Sequence, residues 1–278
     1  IGQGFVGRSY ADNFEARGYT TVRYALEAPY VGNKSRIKEC DLVFIAVPTP
    51  STPDGFDVGI VREALALVGS GKIAVIKSTI LPGTTEMLQR EFPDRVVLVS
   101  PEFLSEATAA HDAAHPYSNI IGLPTESEMH REAANQLLTM LPKAPFVLIC
   151  RSVEAEVVKY SHNVNGYVLV VLFNLLYDFA ERNGADWSNV QAALAADPYI
   201  SSYYTRPVHK SGRGAGGYCF IKDFAAFREL YGRTLPDDKD GMAIMTALER
   251  KNIALLLASG KSLDLLEGVY GKDALANS

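Results

Sequence analysis

Cysteine is scarce in this chain of 278 residues: Cys40, Cys150 and Cys219 lie far apart, odd in number and without CxxC spacing. That pattern supports neither a disulfide framework nor a cysteine-built zinc site, and it fits a reducing, cytoplasmic setting. Basic charge is also short. Lys and Arg number 27 against 32 Asp and Glu, for a net charge of −5 at pH 7, and no basic cluster interleaves with aromatics. Nucleic acid and anionic membrane surfaces are therefore not expected as partners. The longest apolar run, 166–180, is interrupted by Asn174 and Asp178 and reads as too short to cross a bilayer. No signal peptide is expected ahead of the first glycine motif. His111 and His115 are spaced like a helical metal pair, but no third ligand is close and Pro116 follows, so a solvated helix end is expected and no metal. These absences leave a soluble chain whose partner is a small molecule.

With 47% hydrophobic residues the chain can bury substantial cores, and its length suits two domains. The first opens on Ile1-Gly2-Gln3-Gly4-Phe5-Val6-Gly7, a GxGxxG. Residues 8–17 read as a helix stopped by Gly18, and 20–26, β-branched and aromatic, as a strand. In that context the glycines let backbone approach a pyrophosphate, while the helix N-terminus offers free N–H groups and a partial positive charge. Such a motif follows a strand, so most of a first strand is expected to lie before Ile1, outside this sequence. An acidic residue should follow about 20 residues on, to hold the adenosine ribose. Arg23 and Tyr24 stand there and the nearest acid is Glu27, which leaves NAD and NADP both open.

Three continuous apolar runs, 41–47, 72–77 and 95–99, have the character of strands covered on both faces. They end in Pro48-Thr49-Pro50, in Ser78-Thr79 and the residues to Thr85, and in Ser100-Pro101-Glu102-Phe103-Leu104-Ser105-Glu106. Ligands of open parallel sheets bind beyond the carboxyl ends of the strands, so these segments are expected to share one cleft. Turns and caps would explain Thr84 and Thr85 equally well, Glu102 and Glu106 less well. Residues 144–150 read as a last strand. The expected fold is α/β, with a Rossmann-like parallel-sheet domain over 1–150 and a helical domain over 151–278 led by a long connecting helix. That helix is predicted from an N-cap at Ser152 to about Gly184, with Glu154 and Glu156 in its first turns and Lys159 and Asn163 on one face. Its stretch 167–179 is apolar nearly all round, which predicts burial between domains or a homodimer interface. Another helix is predicted over 240–259, with Gly260, Gly268 and Gly271 breaking up the tail.

Gly212-Arg213-Gly214-Ala215-Gly216-Gly217 leads into Tyr218-Cys219-Phe220-Ile221-Lys222-Asp223. Glycine-rich backbone can lie flat against a ligand, and a thiol beside a lysine, a carboxylate and a helix start is a candidate nucleophile. A Gly-rich turn followed by a buried, inert cysteine accounts for the same residues.

Taken together, GQGFVG at 2–7, VPTP at 47–50, KSTILPGTT at 77–85, SPEFLSE at 100–106, EAEVVKYSHNVN at 154–165 and GAGGYCFIKD at 214–223 resemble the UDP-glucose/GDP-mannose dehydrogenase family. Six motifs in the family's order are far more specific than a lone GxGxxG. The resemblance implies NAD-dependent oxidation of a nucleotide-sugar C6 alcohol to the acid in two hydride transfers, of the UDP-glucose 6-dehydrogenase type and serving polysaccharide biosynthesis. It implies that Cys219 forms a thiohemiacetal and then a thioester. Lys159 and Asn163 would stabilise the oxyanion, Asp223 with Thr79 would act as base or orient water, and Glu102 would serve thioester hydrolysis. Gly2, Gly4, Phe5, Val6, Gly7, Val47, Thr49, Pro50, Thr79 and Glu106 would hold the cofactor. The substrate would meet Glu102, Phe103, Leu104, Lys159, Asn163, Lys210, Gly216 and Gly217. Two departures stand out. The family's third, nucleotide-gripping domain has no room before Ser278, so a short form or an incomplete sequence is expected. Tyr203 stands roughly where the family has an arginine, with Arg206 the candidate substitute. The rival readings are a two-electron hydroxyacid or 6-phosphogluconate-type dehydrogenase, which needs no cysteine, and a non-catalytic dinucleotide-binding module.

Overall fold

The computed structural model describes residues 1–272. The chain forms two compact units, one of residues 1–49 and 57–159, the other of residues 50–56 and the chain from Tyr160 onward.

The first unit is built on a five-stranded sheet. Its strands are β1 (Leu42–Ile45), β2 (Ile73–Ile76), β3 (Val96–Val99), β4 (Ser118–Leu123) and β5 (Phe146–Arg151), and they lie in chain order across the sheet. β1, β2 and β3 are parallel, with Phe44 opposite Val75 and Val75 opposite Leu98. β4 runs antiparallel to β3, and β5 parallel to β4. Around the sheet lie α1 (Phe5–Ala16), α2 (Gly59–Ala66), α3 (Thr84–Glu91), α4 (Ala109–Ala114) and α5 (Glu128–Met140). Helix α1 buries Tyr10, Ala11 and Phe14, and two of these join Val75, Leu98, Ile121, Ala134 and Leu137 in one core. β2 and β3 are buried along their whole length, as their uninterrupted apolar runs require.

Two departures from the sequence reading have clear causes. Residues 20–26 form no strand. The Ile1 amine donates to the Phe44 carbonyl at 2.6 Å and the Ala46 N–H to the Ile1 carbonyl at 2.9 Å, while the Gly2 N–H donates to the Tyr24 carbonyl at 2.9 Å. Tyr24 thus meets Gly2 through one backbone bond, and no ladder over 20–26 is present among the described residues. Strand β4 escaped the pattern reading because it contains Gly122. A Cβ there would lie 2.6 Å from Val99 Cγ1 and 2.7 Å from Ser152 Cα, so this is a strand glycine demanded by close approach.

Helix α6 (Ser152–Arg182) runs unbroken for 31 residues through the boundary between the units. The two compact units divide within this helix, after Lys159. Glu156 does more than favour its own helix dipole. Buried, it accepts the Gly83 N–H at 2.6 Å and the Thr85 N–H and hydroxyl at 2.8 and 2.6 Å, capping α3 from another helix. Burial raises its pKa, outweighing these bonds. By length and composition α6 could cross a membrane, which residues 166–180 alone did not suggest. Two of its buried polar residues are bonded within the chain, Glu156 as above and Asn174 with Arg213.

The second unit contains the rest of α6 with α7 (Trp187–Ala196), α8 (Tyr218–Thr234), α9 (Lys239–Ser259) and α10 (Leu263–Tyr270). Gly268 sits within α10 and does not break it. Two two-residue ladders pair 51–52 with 55–56 and 208–209 with 212–213. The first anchors residues 50–56 to this unit, since the Ser51 hydroxyl donates to the Lys222 carbonyl at 3.1 Å. Tyr167 stacks on Phe224 at 3.9 Å between centroids, in a core with Val171 and Ala215.

Candidate active site

The three motif glycines have three separate roles. Gly2 takes φ +85°, and a Cβ on it would lie 2.2 Å from the Ala46 carbonyl oxygen. One on Gly7 would lie 1.9 Å from the carbonyl oxygen of Gly2, whereas one on Gly4 would meet nothing within 4 Å. The outer glycines close the turn onto β1 and α1; the middle one leaves an open backbone face. Gly4 caps α1 without a side-chain hydrogen bond, and no acid occupies the first turn, so the terminal N–H groups are available to an anion. Residues 1 and 2 also mark where the order of neighbours reverses, with Tyr24 on one side and β1 on the other, which is where open α/β sheets bind ligands. This geometry fits a dinucleotide pyrophosphate. Phe5, at 39% exposure, and Val6 begin the helix beside it. Arg23, the residue that left NADP open, is occupied: its guanidinium donates to Asp12 at 2.6 Å and to both oxygens of Glu15 at 2.9 and 2.6 Å. A guanidinium so neutralised is not offered to a ribose 2′-phosphate.

The glycine roles predict opposite outcomes. Gly4→Ala should fold normally and raise the dinucleotide Kd by about tenfold, a loss on the order of 1.4 kcal/mol. Gly7→Ala should lose about 3 kcal/mol of stability or more through overpacking against backbone. Thermal denaturation with and without NAD separates the two, and equal behaviour of both variants would contradict the assignment.

Beyond β1 and β2, the Val47 N–H donates to Ser78 Oγ at 2.9 Å and that hydroxyl donates to the Val47 carbonyl at 2.7 Å. Thr49 Oγ1 donates to the Thr79 carbonyl at 2.7 Å. The two strand ends are thus tied into one edge, while Pro50 belongs to the second unit. Beyond β3, Lys159 Nζ donates to the Glu102 carbonyl at 2.6 Å and to Glu102 Oε1 at 3.0 Å. The other oxygen, Oε2, accepts the Leu104 N–H at 2.8 Å, and Phe103 places its ring 5.4 Å from the ammonium. Lys159 and Glu102 are both buried. A desolvated cation fixed beside a carboxylate can stabilise developing negative charge, and the carboxylate can accept a proton. Glu106 lies exposed in the turn before α4.

In the second unit, Cys219 occupies the first turn of α8, half-buried, just after Gly217 at φ +83°. Asp223, four residues on, is buried and holds Lys222 Nζ on one oxygen and Asn163 Nδ2 on the other, the latter at 2.6 Å. Burial would lower the Lys222 pKa, but Asp223 outweighs it and, with a contribution from Cys219, holds it above the usual lysine value. A fixed cation and a helix N-terminus are the two features that favour thiolate over thiol. By contrast, burial pushes the Cys40 thiol up and the Cys150 thiol to about 11.

The glycine-rich loop before Cys219 is clamped by residues that no local motif disclosed. Asn252 accepts the Ala215 N–H at 2.6 Å and donates to the Ala215 carbonyl at 3.0 Å. Lys261 Nζ donates to the Gly212 and Gly214 carbonyls at 3.2 and 2.9 Å. Arg213 donates to Asn174 at 2.7 Å and to Asp178 at 2.6 Å. Gly216 lies within the loop and Gly217 ends it, whereas Lys210 is exposed in the tight turn at 209–212 with φ +55°. Tyr203 and Arg206 are exposed, as are His162 and His209. The His111 and His115 rings stack 4.6 Å apart on α4.

Residues 20–141 match the NAD binding domain of the UDP-glucose/GDP-mannose dehydrogenase family, and residues 153–252 match that family's central domain. The chain belongs to this family. Similar proteins include UDP-glucose 6-dehydrogenase AglM of Haloferax volcanii, 29% identical over 81% of this chain and 63% of its own length. A UDP-glucose 6-dehydrogenase of Rhizobium meliloti is 31% identical over 69% of this chain and 46% of its own. The chain spans about half to three fifths of the length of the curated relatives it matches. Among solved structures, a UDP-glucose dehydrogenase from Pyrobaculum islandicum superposes with TM-score 0.77 at 29% identity, covering 92% of this chain and 69% of that one. The 3-hydroxyisobutyrate dehydrogenase of Mycobacterium tuberculosis shares the fold at 16% identity, TM-score 0.70, over 97% of this chain and 96% of its own.

Proposed function

We propose that this chain carries the catalytic machinery of an NAD-dependent nucleotide-sugar dehydrogenase that oxidises the C6 alcohol of a UDP-glucose-type substrate to the acid. The observation that carries the reading is Cys219 at the N-terminus of α8, one helical turn from the buried Lys222–Asp223–Asn163 cluster. A two-electron alcohol dehydrogenase has no use for such a thiol. NAD, when bound at the glycine turn, accepts the hydride of each oxidation. The Cys219 sulfur adds to the carbonyl of the intermediate aldehyde, giving a thiohemiacetal; loss of the second hydride gives a thioester, which water hydrolyses to release the acid and free thiol. Lys159 and Asn163, one turn apart on α6, supply the cation and the amide that stabilise the oxyanion at each stage. Glu102 takes a proton from the attacking water, and Asp223 with Thr79 orients that water. Phe103, Leu104, Lys210, Gly216 and Gly217 contact the sugar nucleotide, while Val47, Thr49, Pro50 and Glu106 complete the cofactor contacts.

The protein works in the cytoplasm as a homodimer. Leu172, Leu175, Leu176 and Phe179 lie exposed at helical spacing on α6, an apolar stripe that a second copy would cover. The function is tested by anaerobic turnover with NAD and UDP-glucose, counting NADH formed per sugar consumed. Two NADH per sugar, with the adduct trapped on Cys219, is the expected result. One NADH per sugar would point to the two-electron chemistry, and NAD binding without oxidation of any nucleotide sugar to a binding module.

A further inference from the structure

A lysine outside the proposed chemistry lies at the foot of the Glu102–Lys159 pair. Lys77 directly follows β2 with 3% of its surface exposed, an uncommon place for an ammonium group. Its Nζ donates to Ser100 Oγ at 3.1 Å and stands 4.4 Å from the centroid of the Tyr10 ring. Ser100 directly follows β3, two residues before Glu102, and its N–H donates to the Ile76 carbonyl next to Lys77 at 2.9 Å. The end of β2 and Ser100 are thus joined by the Ile76 backbone and by the Lys77 side chain, at the point where the turn to Glu102 leaves the sheet.

We propose that Lys77 is a positioning residue for the Glu102–Lys159 pair, its buried amine fixing the Ser100–Glu102 turn and supplying a second cation beside it. The proposal rests on the dehydrogenase reading for its consequence in catalysis, but not for the coupling itself.

Charge accounting gives the amine this character. The groups facing it are Glu102 from the turn after β3, Lys159 from α6 and Tyr10 from α1. One carboxylate cannot compensate two desolvated ammonium groups, and Lys159 already holds it by direct hydrogen bonds. Burial lowers the Lys77 pKa to about 7, with Glu102 raising it and Lys159 lowering it. Burial and Glu102 raise the Tyr10 phenol, which therefore stays neutral. Near neutral pH the pair has one cationic partner or two, according to the state of Lys77. The stability linkage has a definite sign. Unfolded Lys77 titrates near its ordinary value of 10.5 and folded Lys77 near 7, so between these values the folded chain binds fewer protons. Stability from this group rises with pH across that window and falls as pH drops through it.

Two measurements test the proposal. First, in 13Cε-lysine NMR of the full chain, the Lys77 resonance, assigned by its loss in Lys77→Met, should titrate near pH 7. In Glu102→Gln that midpoint should move to lower pH, because the attractive charge is gone. Second, Lys77→Met should lower kcat by about tenfold with little change in KM, and an ionisation near pH 7 should vanish from the pH–rate profile. A Lys77 midpoint near the ordinary lysine value, no movement in Glu102→Gln, or an unchanged pH–rate profile in Lys77→Met would each overturn the proposal. In a chain without sugar turnover, the NMR movement would uphold the coupling and retire only the dehydrogenase reading.

Discussion

Cys219→Ser is expected to stop net acid formation, with a loss of at least about 10³-fold in uronate production. Serine is nearly isosteric, so the α8 N-terminus and the Lys222–Asp223–Asn163 cluster should remain as they are. The hydroxyl, however, is a far weaker nucleophile than a thiolate and is not ionised by a lysine and a helix terminus alone. The first hydride transfer needs no thiol, so the variant should release or retain aldehyde after a single NADH per sugar. The decisive measurement is product analysis with carbonyl trapping, run beside NADH counting. Normal two-NADH turnover in Cys219→Ser would end the thioester mechanism, whatever the rest of the site does. The same variant should still bind NAD normally, because the glycine turn belongs to the other unit.

Lys159→Met should be nearly as severe, with two separable effects. Catalysis should fall on the order of 10²–10³-fold, the usual cost of removing one fixed donor from a developing oxyanion. Stability should also fall, by about 3–5 kcal/mol, because Glu102 would be left buried with one oxygen and one carbonyl stripped of their ammonium partner. Adding Glu102→Gln to Lys159→Met should recover part of the stability, since a neutral amide tolerates burial better than an orphaned carboxylate, and recover none of the activity. Urea denaturation of the two single variants and the double variant measures the coupling directly. Additive losses would mean that the 3.0 Å contact between Lys159 and Glu102 contributes little.

How much of this was visible in the chain itself depended on whether the signal was local. The glycine motif, the apolar strands at 41–47, 72–77 and 95–99, and the long helix beginning near Ser152 each rest on short-range rules: positive φ, continuous burial and helical periodicity; the N-cap expected at Ser152 is not formed, because that residue is already helical and its buried hydroxyl caps nothing. The same rules misread 20–26. Its β-branched and aromatic residues favour a strand, but Tyr24 is bonded to Gly2 through one backbone bond and no ladder forms over 20–26. Gly268 looked like a breaker, yet it is carried within α10, whose neighbour Leu266 is wholly buried, so packing offsets the helical cost of glycine.

The site divides in the same way. Residue types at motif spacing gave Cys219, Lys159, Asn163, Asp223 and Glu102 as candidates and carried the family resemblance. Which groups pair could not be read from spacing. Asp223 binds Asn163 from a helix 60 positions earlier, Glu156 caps a helix it does not belong to, Asn252 and Lys261 clamp a loop 37 and 47 to 49 positions away, and Lys77 reaches Ser100 across neighbouring strand ends. None of these partners lies within one helical turn or one strand of the other, and only chain closure brings them within hydrogen-bonding distance. The sequence by itself determined the chemistry available, because chemistry resides in residue types and local backbone. The tertiary structure alone decided how each charge is compensated, because the free energy of a buried charge is set by what folding places against it.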